Sequence, residues 1–154
     1  MADDVIGTDD PRADDVRELL MRHLDYMASQ SPPENVFALD VDGLLDPAVT
    51  CYSCRRQGRL LAVGALKELD GEHGELKSMH TAREARGTGI GRAMLTHLIG
   101  VARERGYRRL SLETGSMAGF APARSLYASA GFSQCGPFAG YPDTEFSTFM
   151  TLGL

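Results

Sequence analysis

Apolar residues near the start of the chain recur at helical spacing. Val16, Leu20, Leu24 and Met27, with Leu19 beside them, mark one buried helix face running to about Ala28. Asp9-Asp10-Pro11 stands ahead of that run, offering acidic caps and a proline suited to the first helical position. Ser31-Pro32-Pro33 ends the helix. Between residues 34 and 47, Val36–Leu39 and Val41–Leu45 read as short helical turns closed by Asp46-Pro47. From Val49 the period changes to two. Val49–Arg56, a Gln57-Gly58 turn and Leu60–Leu69 predict a hairpin, and after the turn at residues 70–74 a further strand is expected over Glu75–Thr81.

The second half alternates between the two periods. Gly89–Arg105 predicts a long amphipathic helix, with Ile90, Met94, Leu98 and Val101 on one face and Gly106 as its stop. Leu110–Thr114 reads as a strand, Pro122–Ala130 as a short helix ending in Gly131, and Phe146–Leu152 as a last strand. Tight turns between the first strands imply antiparallel pairing, whereas strand-helix-strand from 75 to 114 implies a parallel crossover. A mixed α/β sheet is expected, without internal repeats or a linker dividing the chain.

Composition narrows the function classes. The net charge of -5 and the pI near 5.3 argue against nucleic acid or an anionic membrane surface as partner. No apolar run reaches the roughly 20 residues of a membrane-spanning helix. The acidic start, Met1-Ala2-Asp3-Asp4, is unlike a signal peptide, so the cytoplasm is the expected compartment. Cys51 and Cys54 form a C-x-x-C, but with a single further cysteine there is no second ligand pair for zinc, and the stretch is strand-like rather than a helix start. Two small strand residues on opposite faces are expected there, and no metal.

The strongest chemical signal is Arg86-Gly87-Thr88-Gly89-Ile90-Gly91, lying between a strand and a helix. Glycines allow close approach of an anion to the backbone, and a helix N-terminus presents free N–H groups and favourable potential to phosphate. A P-loop is excluded because no lysine follows a glycine at the required spacing. A Rossmann loop is excluded because the residue three beyond Gly89 is Arg92.

Arg86-x-x-Gly89-x-Gly91 resembles the phosphate-binding motif of the GNAT superfamily of N-acetyltransferases. Glu75–Thr81 looks like that family's fourth strand, and Ala123-Arg124-Ser125-Leu126-Tyr127 through Gly131-Phe132 resembles its A-x-x-L-Y-x-x-x-G-F segment. The resemblance runs from about residue 48 to the C-terminus. It implies one N-acetyltransferase domain over residues 1–154, α/β, with a GNAT-type mixed, mostly antiparallel sheet, splayed central strands and flanking helices. It also implies acetyl-CoA as co-substrate. Backbone groups of Met79 and Thr81 would pair with pantetheine, and the amides of Gly87, Thr88, Gly89, Ile90, Gly91 and Arg92 would hold pyrophosphate behind Arg86. Many members carry asparagine seven residues before the tyrosine, where this chain has Phe120.

Acetyl transfer to an amine needs a base, an oxyanion donor and an acid. Glu75 is the candidate base and Glu113 its alternative, or else a group recognising a cationic acceptor. Tyr127 is the candidate acid. Glu34, in the segment before the hairpin, is a candidate acceptor contact. His80 is expected to point away from Met79 and Thr81 as a packing or surface residue, and His23, His73 and His97 carry no pattern. A small-molecule amine is the expected acceptor, with a protein or peptide amine, or a non-catalytic acyl-CoA-binding role, as alternatives. Dimers are common in the resembled family, so a homodimer is among the expected assemblies.

Overall fold

The computed structural model describes residues 4–154, so the acidic start at residues 1–3 lies outside the described residues. Seven strands form one sheet: β1 (Asp4–Thr8), β2 (Val49–Arg56), β3 (Arg59–Asp70), β4 (His73–Thr81), β5 (Arg109–Gly115), β6 (Ser133–Cys135) and β7 (Ser147–Gly153). Their order is β1-β2-β3-β4-β5-β7-β6. Every neighbouring pair is antiparallel except β4–β5. That one parallel pair is joined by helix α3 (Ile90–Glu104), the crossover implied by the strand-helix-strand pattern. Three further helices flank the sheet: α1 (Asp14–Gln30), the short α2 (Val41–Leu44) and α4 (Ala121–Ser129). Among the described residues no helix is long and apolar enough to cross a membrane.

Both faces of the sheet are covered. On one, Met94, Leu95, Leu98 and Ala102 of α3 pack with Leu66, Leu76, Leu110 and Leu112. On the other, Val16, Leu19 and Leu20 of α1 pack with Leu44, Val63 and Ala65. This double cover explains why β3 is buried continuously from Leu60 to Leu66 instead of alternating. Cys51 belongs to the α1 side and Cys54 to the α3 side, on opposite faces as expected. Each large core side chain contributes about 1.5–3 kcal/mol by burial.

Some boundaries differ from the sequence reading. α1 begins at Asp14, not at Pro11, because the Asp10 carbonyl accepts from Ala13 N–H and its carboxylate from Arg12 N–H, which makes residues 10–13 a turn. Val36–Leu39 is not helical; a 3₁₀ turn lies just before it at Pro33–Asn35. The Val41 turn forms as α2, capped by the Asp40 carboxylate on Gly43 N–H at 2.8 Å. β1 and β6 were not predicted. Both are edge strands, and β1 is tied by its ladder to β2 and by the Asp4–Arg56 ion pair at 2.7 Å.

The centre of the sheet is irregular in two ways. β4 and β5 pair only from His73–Leu76 to Arg109–Leu112, and beyond those four pairs the strands diverge. In β4 the register against β3 jumps from Ala65↔Lys77 to Val63↔His80, so Ser78 and Met79 together oppose Gly64. This is a β-bulge, and Ser78 within it takes a left-handed conformation with φ 55°.

At the far end of β5, a Cβ on Gly115 would lie 2.0 Å from Cδ2 of Phe120, whose buried ring also meets Tyr26 edge-on. Gly115→Ala is expected to cost on the order of 1–3 kcal/mol by overpacking. Urea unfolding would check this, and an unchanged midpoint would contradict the close packing of Phe120.

Candidate functional site

Where β4 and β5 diverge, two cavities open and share a wall. The outer one is a groove of about 540 Å³ along β4, α4 and the start of α3. The inner one is smaller, about 80 Å³, and reaches between β4 and β5. His23, Met79, Phe120, Ala123 and Tyr127 line both, so the passage between the cavities runs past these five side chains.

The glycine-rich loop forms one end of the groove. Arg86, Gly87, Gly89, Gly91 and Arg92 line it, together with Met79 and Thr81. Gly87 and Gly89 have φ of 74° and 87°, a conformation that only glycine adopts without strain. The α3 ladder starts with Ala93 N–H on the Gly89 carbonyl, so the amides of the preceding turn stand outside it. A row of free donors at a helix N-terminus is an anion site by construction. Two of the loop residues do not line the groove. Thr88 turns its hydroxyl back to the Ala85 carbonyl, and Ile90 is 3% exposed in the core. Arg92 reaches Ser129 of α4 at 2.9 Å.

The inner cavity gathers charge. Glu75, Lys77, Ser78, Glu113 and Thr114 line it beside Phe37, Leu76 and Leu112. Glu75 is 2% exposed, and its Oε2 accepts from Tyr141 Oη at 2.5 Å and from Lys77 Nζ at 3.2 Å. Lys77 also donates to Tyr141 Oη at 2.7 Å. This closed triangle occupies Oε2 of Glu75 and leaves its Oε1 without a donor among the described residues. Glu113 is less buried: Ser147 donates to its Oε2 at 2.7 Å, and its other oxygen likewise has no donor among the described residues. Burial raises the Glu113 carboxyl above its ordinary range, and the Ser147 hydroxyl and Lys77 ammonium only partly offset this. Tyr127 is buried, and desolvation together with the Glu113 carboxylate raises its phenol, which keeps it protonated at neutral pH.

Three placements bear on the sequence reading. Glu34 is exposed on the 3₁₀ turn and lines neither cavity; its neighbour Asn35 turns inward to Thr144 instead. Phe120 fills the passage wall as a packed ring. His80 points away from Met79 and Thr81, to the α1 side: it pairs with Val63 of that side, whereas Thr81 pairs with Ala62 and Met79 packs on the α3 side, and all three still line the groove. It meets His23 of α1 with 3.2 Å between the two Nδ1 atoms. One ring must donate Nδ1–H to the lone pair of the other, so the pair exists only in opposite tautomers.

Sequence reasoning missed Lys77, Ser78, His23 and Tyr141. Lys77 left a signal, a lysine two residues from Glu75 and so on the same face of the strand. Tyr141 left none, since the loop that returns it to Glu75 is 66 residues away.

A family model for the acetyltransferase (GNAT) family matches residues 13–132. The uncharacterized N-acetyltransferase YsnE of Bacillus subtilis is 47% identical over 146 residues, covering 95% of this chain and 97% of that protein. An IAA acetyltransferase of Azospirillum brasilense is 34% identical and covers 94% of each chain. Among solved structures, a Klebsiella pneumoniae chain described as an acyl-CoA N-acyltransferase superposes with TM-score 0.84 at 26% identity, over 100% of this chain and 99% of its own. A GNAT family acetyltransferase from Elizabethkingia anophelis, with acetyl-CoA bound, gives TM-score 0.73 at 17% identity, over 100% of both chains.

The histidine pair sets a pH dependence. Burial lowers His80 to about 4 and His23 to about 3, from an ordinary 6.5, with Arg86 and Arg22 adding to the effect on His80 and His80 to that on His23. As pH falls from 6.5 towards 4, the unfolded chain binds protons that the folded pair refuses, so stability is lost across that window. The loss is expected to be on the order of 2 kcal/mol or more, and about half of it should vanish in His23→Asn. Asp9 and Asp15 are held below 3.8 and titrate outside the window, while raised Glu113 acts in the opposite sense in both proteins. Urea unfolding at pH 7.5, 6 and 4.5 reads the difference, and equal slopes would contradict it.

Proposed function

The chain belongs to the acetyltransferase (GNAT) family and is an acyltransferase, and from that premise we propose its reaction. It transfers the acetyl group of acetyl-CoA to the primary amine of a small, amino-acid-like molecule, by direct attack in a ternary complex. The observation that carries this reading is the pair of cavities meeting at Tyr127 and Met79. A long groove ends in a phosphate-type glycine loop, and a small charged chamber opens from its other side. The groove suits a nucleotide-bearing thioester, and the chamber suits an amine. A volume of about 80 Å³, walled in part by Phe37 with Tyr141 packed edge to face against it, favours a small acceptor over a peptide.

In this reading Gly87–Arg92 hold the pyrophosphate through backbone amides, with Arg86 and Arg92 adding positive charge. Met79 and Thr81 present backbone groups to the pantetheine arm along the unpaired part of β4. Glu113 serves as base. Its partial exposure in the chamber and its raised carboxyl support that role, since a base performs best when its pKa approaches the working pH. Glu75 holds Lys77 and Tyr141 and keeps the chamber floor in shape. Glu113 takes a proton from the acceptor ammonium, and the freed nitrogen lone pair attacks the thioester carbonyl carbon. A backbone N–H near Met79 or His80 bonds the carbonyl oxygen as it becomes an oxyanion. The C–S bond then breaks, and Tyr127 gives its proton to the departing thiolate. The nitrogen, cationic after its attack, gives its surplus proton back to the Tyr127 phenolate, which leaves the neutral amide.

Replacing Gly89 with valine fills a left-handed position beside the groove. Calorimetric titration of acetyl-CoA should show affinity reduced at least tenfold, roughly 1.4 kcal/mol or more. Unchanged affinity would remove the loop from the cofactor site.

Thiol release from acetyl-CoA, measured against a panel of amines, amino acids, polyamines and peptides, tests the acceptor class. In that assay Tyr127→Phe should lower kcat by about 10²–10⁴, the range of general acid catalysis, with acetyl-CoA affinity unchanged. Wild-type turnover would sink the acid role.

A further inference from the structure

The proposed reaction fixes four directions at the carbon that is attacked. Its sulfur lies towards Tyr127 of α4, which protonates it, and its oxygen towards the backbone N–H groups near Met79 and His80 of β4. The nitrogen arrives from the inner cavity, on the side of Glu113 of β5. A tetrahedral carbon then has one substituent left, the alkyl part of the acyl group. Five side chains line both cavities. Sulfur and oxygen take Tyr127 and Met79, and Ala123 shares α4 with Tyr127. His23 of α1 and Phe120, immediately before α4, remain to face the alkyl group.

Neither can give way. His23 is buried, and its Nδ1 is paired with that of His80. Phe120 is 5% exposed, and its ring lies so close on Gly115 that no Cβ would fit between them. Tyr26 of α1 meets the ring edge-on at 5.8 Å and donates its hydroxyl to the Gly119 carbonyl at 2.6 Å, which ties the preceding residue to the same helix. Gly119 packs against Gln30 and Tyr26 too tightly to carry a Cβ of its own. The ring is thus a fixed wall backed by β5 and α1, and close packing leaves it nowhere to swing when a longer acyl group arrives. The inner cavity beside it holds about 80 Å³, which the acceptor has to share.

We propose that Phe120 is a specificity-determining residue for the acyl donor: its ring sets the length of acyl group that the site transfers, admitting acetyl and excluding butyryl and longer chains. This rests on the acetyl-transfer reading of the site. An apolar wall discriminates by about 10–200-fold for a single methylene that it cannot hold, so two added carbons give a readable preference. Cutting the ring back towards its Cβ opens space where the alkyl group points and leaves Glu113, Tyr127 and the glycine loop untouched.

The test measures kcat/KM by thiol release for acetyl-, propionyl-, butyryl- and hexanoyl-CoA, with the best acceptor of the amine panel held saturating. It compares wild type with Phe120→Leu, Phe120→Ala and Tyr26→Phe. The quantity read is the butyryl-to-acetyl ratio within each protein, so a general loss of activity or stability cancels. Wild type should favour acetyl-CoA by about tenfold or more, Phe120→Ala should bring the ratio about tenfold closer to unity, and Phe120→Leu should fall between them. Where the alanine variant does not fold, the leucine variant carries the comparison. Tyr26→Phe deletes the hydrogen bond to Gly119 and leaves the Phe120 ring, so its ratio should stay that of wild type. A ratio near unity in wild type, or a wild-type ratio in the Phe120 variants that fold, would overturn the assignment. An equal shift in Tyr26→Phe would also overturn it, by tracing the selection to a loosened segment and not to the ring. Thiol release from none of the four donors with any amine of the panel would overturn the acyl-transfer reading of the whole site, and the role of Phe120 with it. Turnover with an unchanged ratio overturns the role of Phe120 alone.

Discussion

The interruption of β4 governs this molecule. An extra residue at Ser78–Met79 opposes Gly64, and past that point β4 no longer tracks β5. A parallel strand pair buried between helices normally continues its ladder, because an unpaired buried backbone group costs about as much as a lost hydrogen bond. Here four pairs form and the remainder of each strand is released. The backbone of Lys77–Thr81 on the β5 side is thus available to a ligand, and the space between the strands becomes the inner cavity. Gly64 is part of the same arrangement: a Cβ there would sit 2.8 Å from Met79 Sδ, so the bulge and the glycine opposite it require one another.

The bulge also redistributes side chains. Up to Lys77, β4 alternates, and Glu75 and Lys77 share the face that meets Tyr141. Beyond it the phase has shifted, and His80 meets both the groove and His23 of α1. The chamber therefore has a floor locked by a buried ion pair and one edge held by two neutral imidazoles. A buried ion pair contributes little net stability, yet breaking it by removing one partner is strongly destabilising, so it fixes geometry more than it adds free energy. Between these supports lie Glu113 and Tyr127, and burial raises both.

Much of this was legible in the sequence. The 3.6-residue period of α3, the hairpin of β2 and β3 and the glycine loop with its helix are local, and each follows from residues a few positions apart. The parallel crossover follows from element order. Elements set by distant partners were less legible: β1 and β6 are short edges fixed by ladders to β2 and β7 rather than by their own hydrophobic pattern. The same division runs through the site. Tyr127 and the loop glycines could be singled out from motifs, whereas Tyr141, His23 and Ser78 could not.

The sequence by itself determined the mixed sheet, its helices and the anion-binding loop, because period, turn chemistry and the left-handed glycines act over one or two turns of chain. Only the tertiary structure decided how the two carboxylates are held. Glu75 is buried, with one oxygen bonded by Lys77 and by a tyrosine 66 residues further on, whereas Glu113 is partly exposed and bonded by Ser147. It also decided that Ser78, an unremarked residue in a strand, stands unpaired at the chamber wall, since a bulge is a relation between two strands and has no signature in either one alone.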